Sequence, residues 1–227
     1  MILGIDVGGT FTDFVLLDDA GRIRIHKLLT SVRDQSQSIL QGIADLEVGP
    51  EATVVHGATV ATNALLERRG ARTALIATEG FCDVLEIGRQ TRPDLYALHP
   101  TRPAPLVPSS RRFELPERVD KQATIIIPLD LEATDAVVRH LLEQAVESVA
   151  ISFLFSFLNP THERQVHERI MVLGNDRAPF VSLSSEVLPE YREYERTSTT
   201  VINAYVAPLT NRYLANLEEG LEQQHLR

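Results

Sequence analysis

Two short apolar runs joined through a pair of glycines open this chain, and that arrangement constrains the rest of it more than any other feature. Ile2, Leu3, Ile5 and Val7 read as a buried strand and Phe14 to Leu17 as a second. Between them Asp6-Val7-Gly8-Gly9-Thr10-Phe11-Thr12-Asp13 forms a turn with two glycines and two hydroxyls. Glycine reaches positive φ without penalty, so Gly8-Gly9 is expected to fold the backbone tightly and aim its N–H groups at one point. Such donors, with the Thr10 and Thr12 hydroxyls, make a concave anion site of the kind that cradles phosphate, spanning Gly8, Gly9, Thr10, Phe11, Thr12 and Asp13. Asp6, at the end of the first strand, is the candidate to hold a hydrated Mg²⁺, which takes few carboxylates and keeps its waters. The plain alternative is a tight hairpin without a ligand. Carboxylates and hydroxyls in this order favour phosphate.

The 227 residues allow one large domain or two small ones, and 44% hydrophobic content is ample for a core. A net charge of −9 argues against a nucleic acid or an anionic membrane as partner. A polyphosphate ligand then depends on local backbone donors and a metal, which the first turn supplies. The single cysteine, Cys82, excludes an internal disulfide and a multi-cysteine zinc site. The first residues do not read as a secretory leader and no apolar run reaches membrane-spanning length, so a cytoplasmic protein is expected.

Along the chain, strands are expected over about 2–7 and 12–18, then a turn at Asp18-Asp19-Ala20-Gly21 and a third strand over Arg22 to Leu28. Helical spacing covers Arg33 to Glu47, with Ser31 or Asp34 as N-cap. A strand at Thr53–Gly57, a helix from Thr59 to Arg69 ended by Gly70, and a strand at Ala71–Thr78 complete the order β-β-β-α-β-α-β. That succession, with a phosphate turn in its first hairpin, is how the ribonuclease H-like lobe of actin-like ATPases is built. Residues 80–120 carry six prolines (Pro93, Pro100, Pro103, Pro105, Pro108 and Pro116) and are expected to form an excursion or lid. A smaller β-α-β-α-β region follows over 121–185, and 186–227 reads as helical, kinked or split at Pro208. The expected domains are therefore 1–120, 121–185 and 186–227, in an α/β fold.

Four stretches resemble the hydantoinase A/5-oxoprolinase family of ATP-dependent enzymes, which includes the acetone carboxylase β subunit. They are Gly4 to Asp13, His56 to Leu65, Gly80 to Gln90 and Glu193 to Tyr205, in the family's order and spread over nearly the whole chain. The resemblance implies an actin-like fold that closes over ATP and Mg²⁺, and phosphorylation of a carbonyl oxygen. For a cyclic amide of the hydantoin or 5-oxoproline kind, this makes the oxygen a leaving group and opens the ring. For a ketone it gives an enol phosphate ready for carboxylation. A companion hydantoinase B-type subunit is implied as well. Many relatives have arginine where this chain has Cys82. Family chains also continue well past residue 227 and supply a second phosphate loop, so the chain reads as an amino-terminal portion with half of an active site. Two readings from other classes compete: an actin-like nucleotide switch or reactivating protein, and a folded but inert module.

Further candidates have two readings each. His56 ends a strand at a pocket position of open α/β sheets, or simply caps that strand. Thr59, Thr62 and Asn63 lie in the first turn of the following helix, where free N–H groups favour an anion, though N-capping also explains Thr59. Asp83, Glu86, Arg89 and Gln90 share a helix face that is either solvated or, at Arg89, turned towards substrate. Tyr191, Tyr194, Glu195 and Arg196 read first as a charged helix face. Cys82 lacks a neighbouring base and is not expected to act as a nucleophile. His162 and His167, five apart, are poorly placed for a metal.

Overall fold

Alternation along the first strands and continuous apolar runs further on lead to two different sheets. The computed structural model describes residues 1–31, 34–91, 95–99 and 103–224. In chain order the elements are β1 (Ile2–Val7), β2 (Phe11–Leu17), β3 (Ile23–Leu29), α1 (Gln35–Asp45), β4 (Thr53–Ala58), α2 (Val60–Leu66), β5 (Thr73–Thr78) and α3 (Val84–Ile87). They continue as β6 (Arg112–Leu115), β7 (Arg118–Val119), β8 (Ile125–Ile127), α4 (Leu131–Glu143), β9 (Ser148–Ser152), α5 (Thr161–Gly174), β10 (Phe180–Leu183), α6 (Ser184–Val187) and α7 (Glu193–Gln223). The chain forms two compact units, one of residues 1–70 and 209–227, the other of residues 71–208.

The first unit holds a mixed sheet of order β3-β2-β1-β4, in which β1 runs antiparallel to β2 and parallel to β4. Asp18 closes the β2–β3 turn by accepting from the N–H groups of Ala20 and Arg22, while Gly21 takes a φ of 77°. Leu3, Ile5, Val7, Phe14 and Leu16 project from one face of the sheet and bury against Ile39 and Ile43 of α1 and Tyr213 and Leu217 of α7. The Asp34 carboxylate caps α1 by accepting from the Ser36 N–H at 3.0 Å. Arg33, the expected start of that helix, lies outside the described residues.

The second unit is built on an all-parallel sheet of order β10-β9-β5-β6. Every residue of β5 is buried, as befits a central strand covered on both faces. This is why the fifth strand, expected to complete the first sheet, pairs with β9 and β6 instead: Thr73 to Thr78 has no polar face to leave in water. The amphipathic α4 and α5 cover one face through Val138, Leu141, Val166 and Ile170, and Val201 and Ala204 of α7 meet Leu75 and Ala150 on the other.

Three local expectations are corrected. The proline-rich stretch contributes packed structure, since Arg112–Leu115 pairs in parallel with β5. Two of its prolines, Pro93 and Pro100, lie outside the described residues. The second helix ends at Leu66, four residues before Gly70, and Arg68 just beyond it takes the left-handed conformation (φ 56°). The carboxy-terminal segment is two helices, and the long one continues unbroken through Pro208. One proline removes a single helical hydrogen bond, while packed side chains on both sides of it hold the rest of the helix in place.

Candidate functional site

The β1–β2 turn is latched from inside. Gly8 N–H donates to the Phe11 carbonyl at 3.0 Å, Thr30 N–H donates to the Thr10 carbonyl at 2.9 Å, and the Thr30 hydroxyl donates to the Gly8 carbonyl at 2.9 Å. Thr12 is fully buried, its hydroxyl 3.0 Å from that of Thr30. What the latch leaves open is the outer rim: among the described residues the N–H groups of Gly9 and Thr10 have no hydrogen-bond partner. Neither Gly8 nor Gly9 has positive φ. Close approach favours glycine there: a Cβ on Gly8 would lie 3.1 Å from the Phe11 carbonyl oxygen, and one on Gly9, 3.3 Å from Nδ2 of Asn63, would ask that side chain to shift by a few tenths of an ångström.

Four neighbours meet this rim. The parallel pairing of β1 with β4 sets Asp6 beside Gly57, where a Cβ would lie 4.0 Å from its Oδ1. The Asp6 carboxylate is exposed and has no partner among the described residues. Thr59 donates its N–H (3.2 Å) and hydroxyl (3.3 Å) to the Val7 carbonyl, and the Asn63 amide donates to the Thr59 hydroxyl at 3.1 Å. Asp6, Gly9, Thr10, Thr59 and Asn63 are thereby gathered at one end of the sheet. An exposed lone carboxylate beside a residue without a side chain fits a hydrated Mg²⁺.

Other expected residues are placed elsewhere. Asp13, directly opposite Asp6 on β2, is paired with Lys27, whose ammonium lies 4.8 Å from the Phe11 ring centre. His56 alternates to the inner face, where it bonds the Tyr213 hydroxyl. Burial lowers the His56 pKa and pushes that of Tyr213 up to about 12, so the pair is neutral. Thr62 is exposed on α2. Arg89 belongs to the second unit, donating to Glu195 at 2.8 Å and holding that carboxyl below its usual range. Thr30 was not foreseen; its signal was a hydroxyl just past the third strand, readable only once the strands are in register.

A second polar cluster, also unforeseen, lines the carboxyl ends of β5, β9 and β10. Buried Glu163 accepts from the Phe153 N–H (3.1 Å), the Ser184 hydroxyl (2.6 Å), and the Ser185 N–H (3.0 Å) and hydroxyl (2.6 Å). His162 Nδ1 lies 2.7 Å from buried Glu117, which also accepts from Thr78. Arg196 donates to the carbonyls of Glu190 (2.7 Å) and Phe153 (2.9 Å). These bonds tie the strand ends to α5, α6 and α7 and leave His162 committed to a carboxylate. Burial, aided by Glu114, pushes the Cys82 thiol up to about 11, so it is no thiolate nucleophile. Among the described residues no group of three or more His, Cys, Asp or Glu is placed to hold a metal.

Residues 2–174 match the hydantoinase/oxoprolinase N-terminal region, and the chain belongs to that family. It is 37% identical to caprolactamase subunit alpha of Pseudomonas jessenii over 97% of this chain and 33% of that one. The crystal structure of the ATP-dependent caprolactamase superposes with a TM-score of 0.87 over 100% of this chain and 34% of its own. A nucleotide-free structure of acetone carboxylase superposes with a TM-score of 0.88 at 25% identity, over 100% of this chain and 35% of that one. An uncharacterised protein of Methanocaldococcus jannaschii is 40% identical over 98% of this chain and 33% of its own. The chain thus spans about a third of the length of the curated relatives it matches.

Proposed function

We propose that this chain is the phosphate-binding part of an ATP-dependent enzyme that phosphorylates the carbonyl oxygen of a cyclic amide and so drives ring opening. The observation that carries the reading is the rim of the β1–β2 turn: the N–H groups of Gly9 and Thr10 and, beside them, the Asp6 carboxylate, none of which has a partner among the described residues. Open N–H groups on a rigid turn attract a phosphate without reorganising. The Thr10 hydroxyl adds a donor, and the Asn63 amide, held by Thr59, borders the same space. Thr12, Asp13 and Phe11 act behind this edge, Thr12 by latching the turn to Thr30 and Asp13 by anchoring Lys27. Asp6 would hold hydrated Mg²⁺, which neutralises charge on the transferring phosphoryl group when bound. Thr62, His56 and Arg89 are weaker candidates for the substrate side, His56 because it faces Tyr213 and Arg89 because it is engaged by Glu195.

The same reading assigns 1–120 and 121–185 to one nucleotide-binding region of an actin-like ATPase, with 186–227 opening a following domain and a hydantoinase B-type companion subunit completing the assembly in the cytoplasm. Ketone carboxylation through an enol phosphate is the second reading, favoured by the superposition on acetone carboxylase. Both use one phosphoryl-transfer site. The test is titration of the chain with ATP and Mg²⁺ while following backbone amide chemical shifts, a readout that registers weak binding. Gly9 and Thr10 are expected to shift first and furthest, and Asp6→Asn to remove the Mg²⁺ dependence. Shifts that leave residues 8–11 untouched would falsify the assignment.

A further inference from the structure

The antiparallel register of β1, β2 and β3 sorts their side chains onto two faces, and both faces are apolar. Leu3, Ile5, Phe14 and Leu16 are buried on the inner one. On the outer one Leu17 pairs with Ile2 and Ile23, and Val15 pairs with Ile25. Ile25 is 76% exposed, Leu29 71% and Ile23 65%. A sheet that keeps one face in water normally places polar residues there, and a contiguous exposed apolar patch marks an interaction site. The charged residues of this face, Asp6, Asp13 and Lys27, sit together at the end that carries the open turn.

We propose that this outer face is a docking surface whose occupant is the polypeptide that the relatives carry outside the matched region. The fold accounts for all of this chain and 34% of the solved caprolactamase chain, which leaves 66% (100 − 34) of that chain to accompany it. The inner face is already filled by α1 and α7, so the outer face is where the first sheet has apolar area left to cover. A second copy of this chain is a poorer occupant, because each copy brings a net charge of −9. An occupant seated here borders Asp6 and Asp13 as well. The proposal does not depend on the ATP reading.

Cysteine accessibility tests it without nucleotide. Replacing Cys82 by serine gives a silent background, in which Ile25→Cys reports the outer face and Leu131→Cys, 52% exposed at the start of α4, serves as control. Each is labelled with a maleimide dye in the 227-residue chain and again after joining the chain to the part of Pseudomonas jessenii caprolactamase subunit alpha outside the match. Labelling at Ile25→Cys is expected to slow at least tenfold on joining, with Leu131→Cys unchanged. In parallel, Ile25→Asp is expected to leave melting of the isolated chain unaltered and to lower that of the joined protein. Unchanged labelling at Ile25→Cys, equal slowing at both positions, or the same response to Ile25→Asp in both proteins overturns the proposal. Protection in the isolated chain that grows with concentration also overturns it, in favour of a second copy.

Discussion

A side chain at Gly9 displaces the Asn63 amide, 3.3 Å from where its Cβ would stand, and fills the space in front of the two open N–H groups. Gly9→Asp adds a negative charge as well. Two unit charges about 4 Å apart repel by roughly 4 kcal/mol at an effective dielectric near 20. That lowers ATP affinity by about three orders of magnitude, so amide shifts on adding ATP should vanish while circular dichroism is unchanged. Asp6→Asn keeps the open N–H groups and removes only the free carboxylate; ATP is expected to bind still, with the effect of Mg²⁺ gone. Normal ATP-induced shifts in folded Gly9→Asp protein would reduce the turn to a hairpin. The two glycines and their flanking Asp6 and Thr10 were legible in sequence because residue type and order alone define an N–H-rich turn. The direction of each side chain was not. Thr12 turns inward to Thr30, and His56 faces away from Gly57 to Tyr213, because strand alternation assigns faces only when the register is known.

At the scale of elements, α1 lies so close to β2 that a Cβ on Gly42 would stand 2.1 Å from the Phe14 ring. Alanine favours a helix over glycine by about 1 kcal/mol, but here it must push a fully buried aromatic ring out of a filled core. Overpacking of this kind costs about 1–3 kcal/mol, so Gly42→Ala should lower the urea midpoint; a raised midpoint would mean that the ring moves freely. The docking of α7 onto β4 should show in pH dependence. Burial lowers the folded-state pKa of His56, so below about pH 6.5 the unfolded chain takes up the proton first. The contribution of His56 to stability is therefore complete above that pH and lost as pH falls through the lowered value. His56→Phe should flatten this part of the stability profile below about pH 6.5; an unaltered slope would assign the acid sensitivity to other groups. Element types were readable wherever periodicity ran long, as in α4 and α5. The strand Arg112–Leu115 was not, because four residues with two charges carry no period of their own and are fixed only by pairing with β5.

Over the whole molecule, the division into two four-stranded sheets rests on partner choice that local pattern does not contain. Thr73–Thr78 reads as a strand from its own residues, but only the parallel neighbours β9 and β6 show which sheet it enters. Family membership was legible because four separated blocks occur in one order, and a match over residues 2–174 agrees. The open rim offers two N–H groups and one carboxylate, and among the described residues of the first unit the neighbouring Lys27 is engaged by Asp13. Transfer of a phosphoryl group requires the charge on its oxygens to be neutralised as the bond breaks. The 227-residue chain alone is accordingly expected to bind ATP weakly and to show no rise in phosphate release when hydantoin, 5-oxoproline or caprolactam is added, whereas an assembly that covers the outer sheet face and completes the rim should respond to one of them. A panel that includes a ketone with bicarbonate separates ring opening from carboxylation in that assembly. Strong lactam-stimulated ATP hydrolysis by the isolated chain would show that the site is complete within these residues, and that the exposed sheet face has no part in forming it.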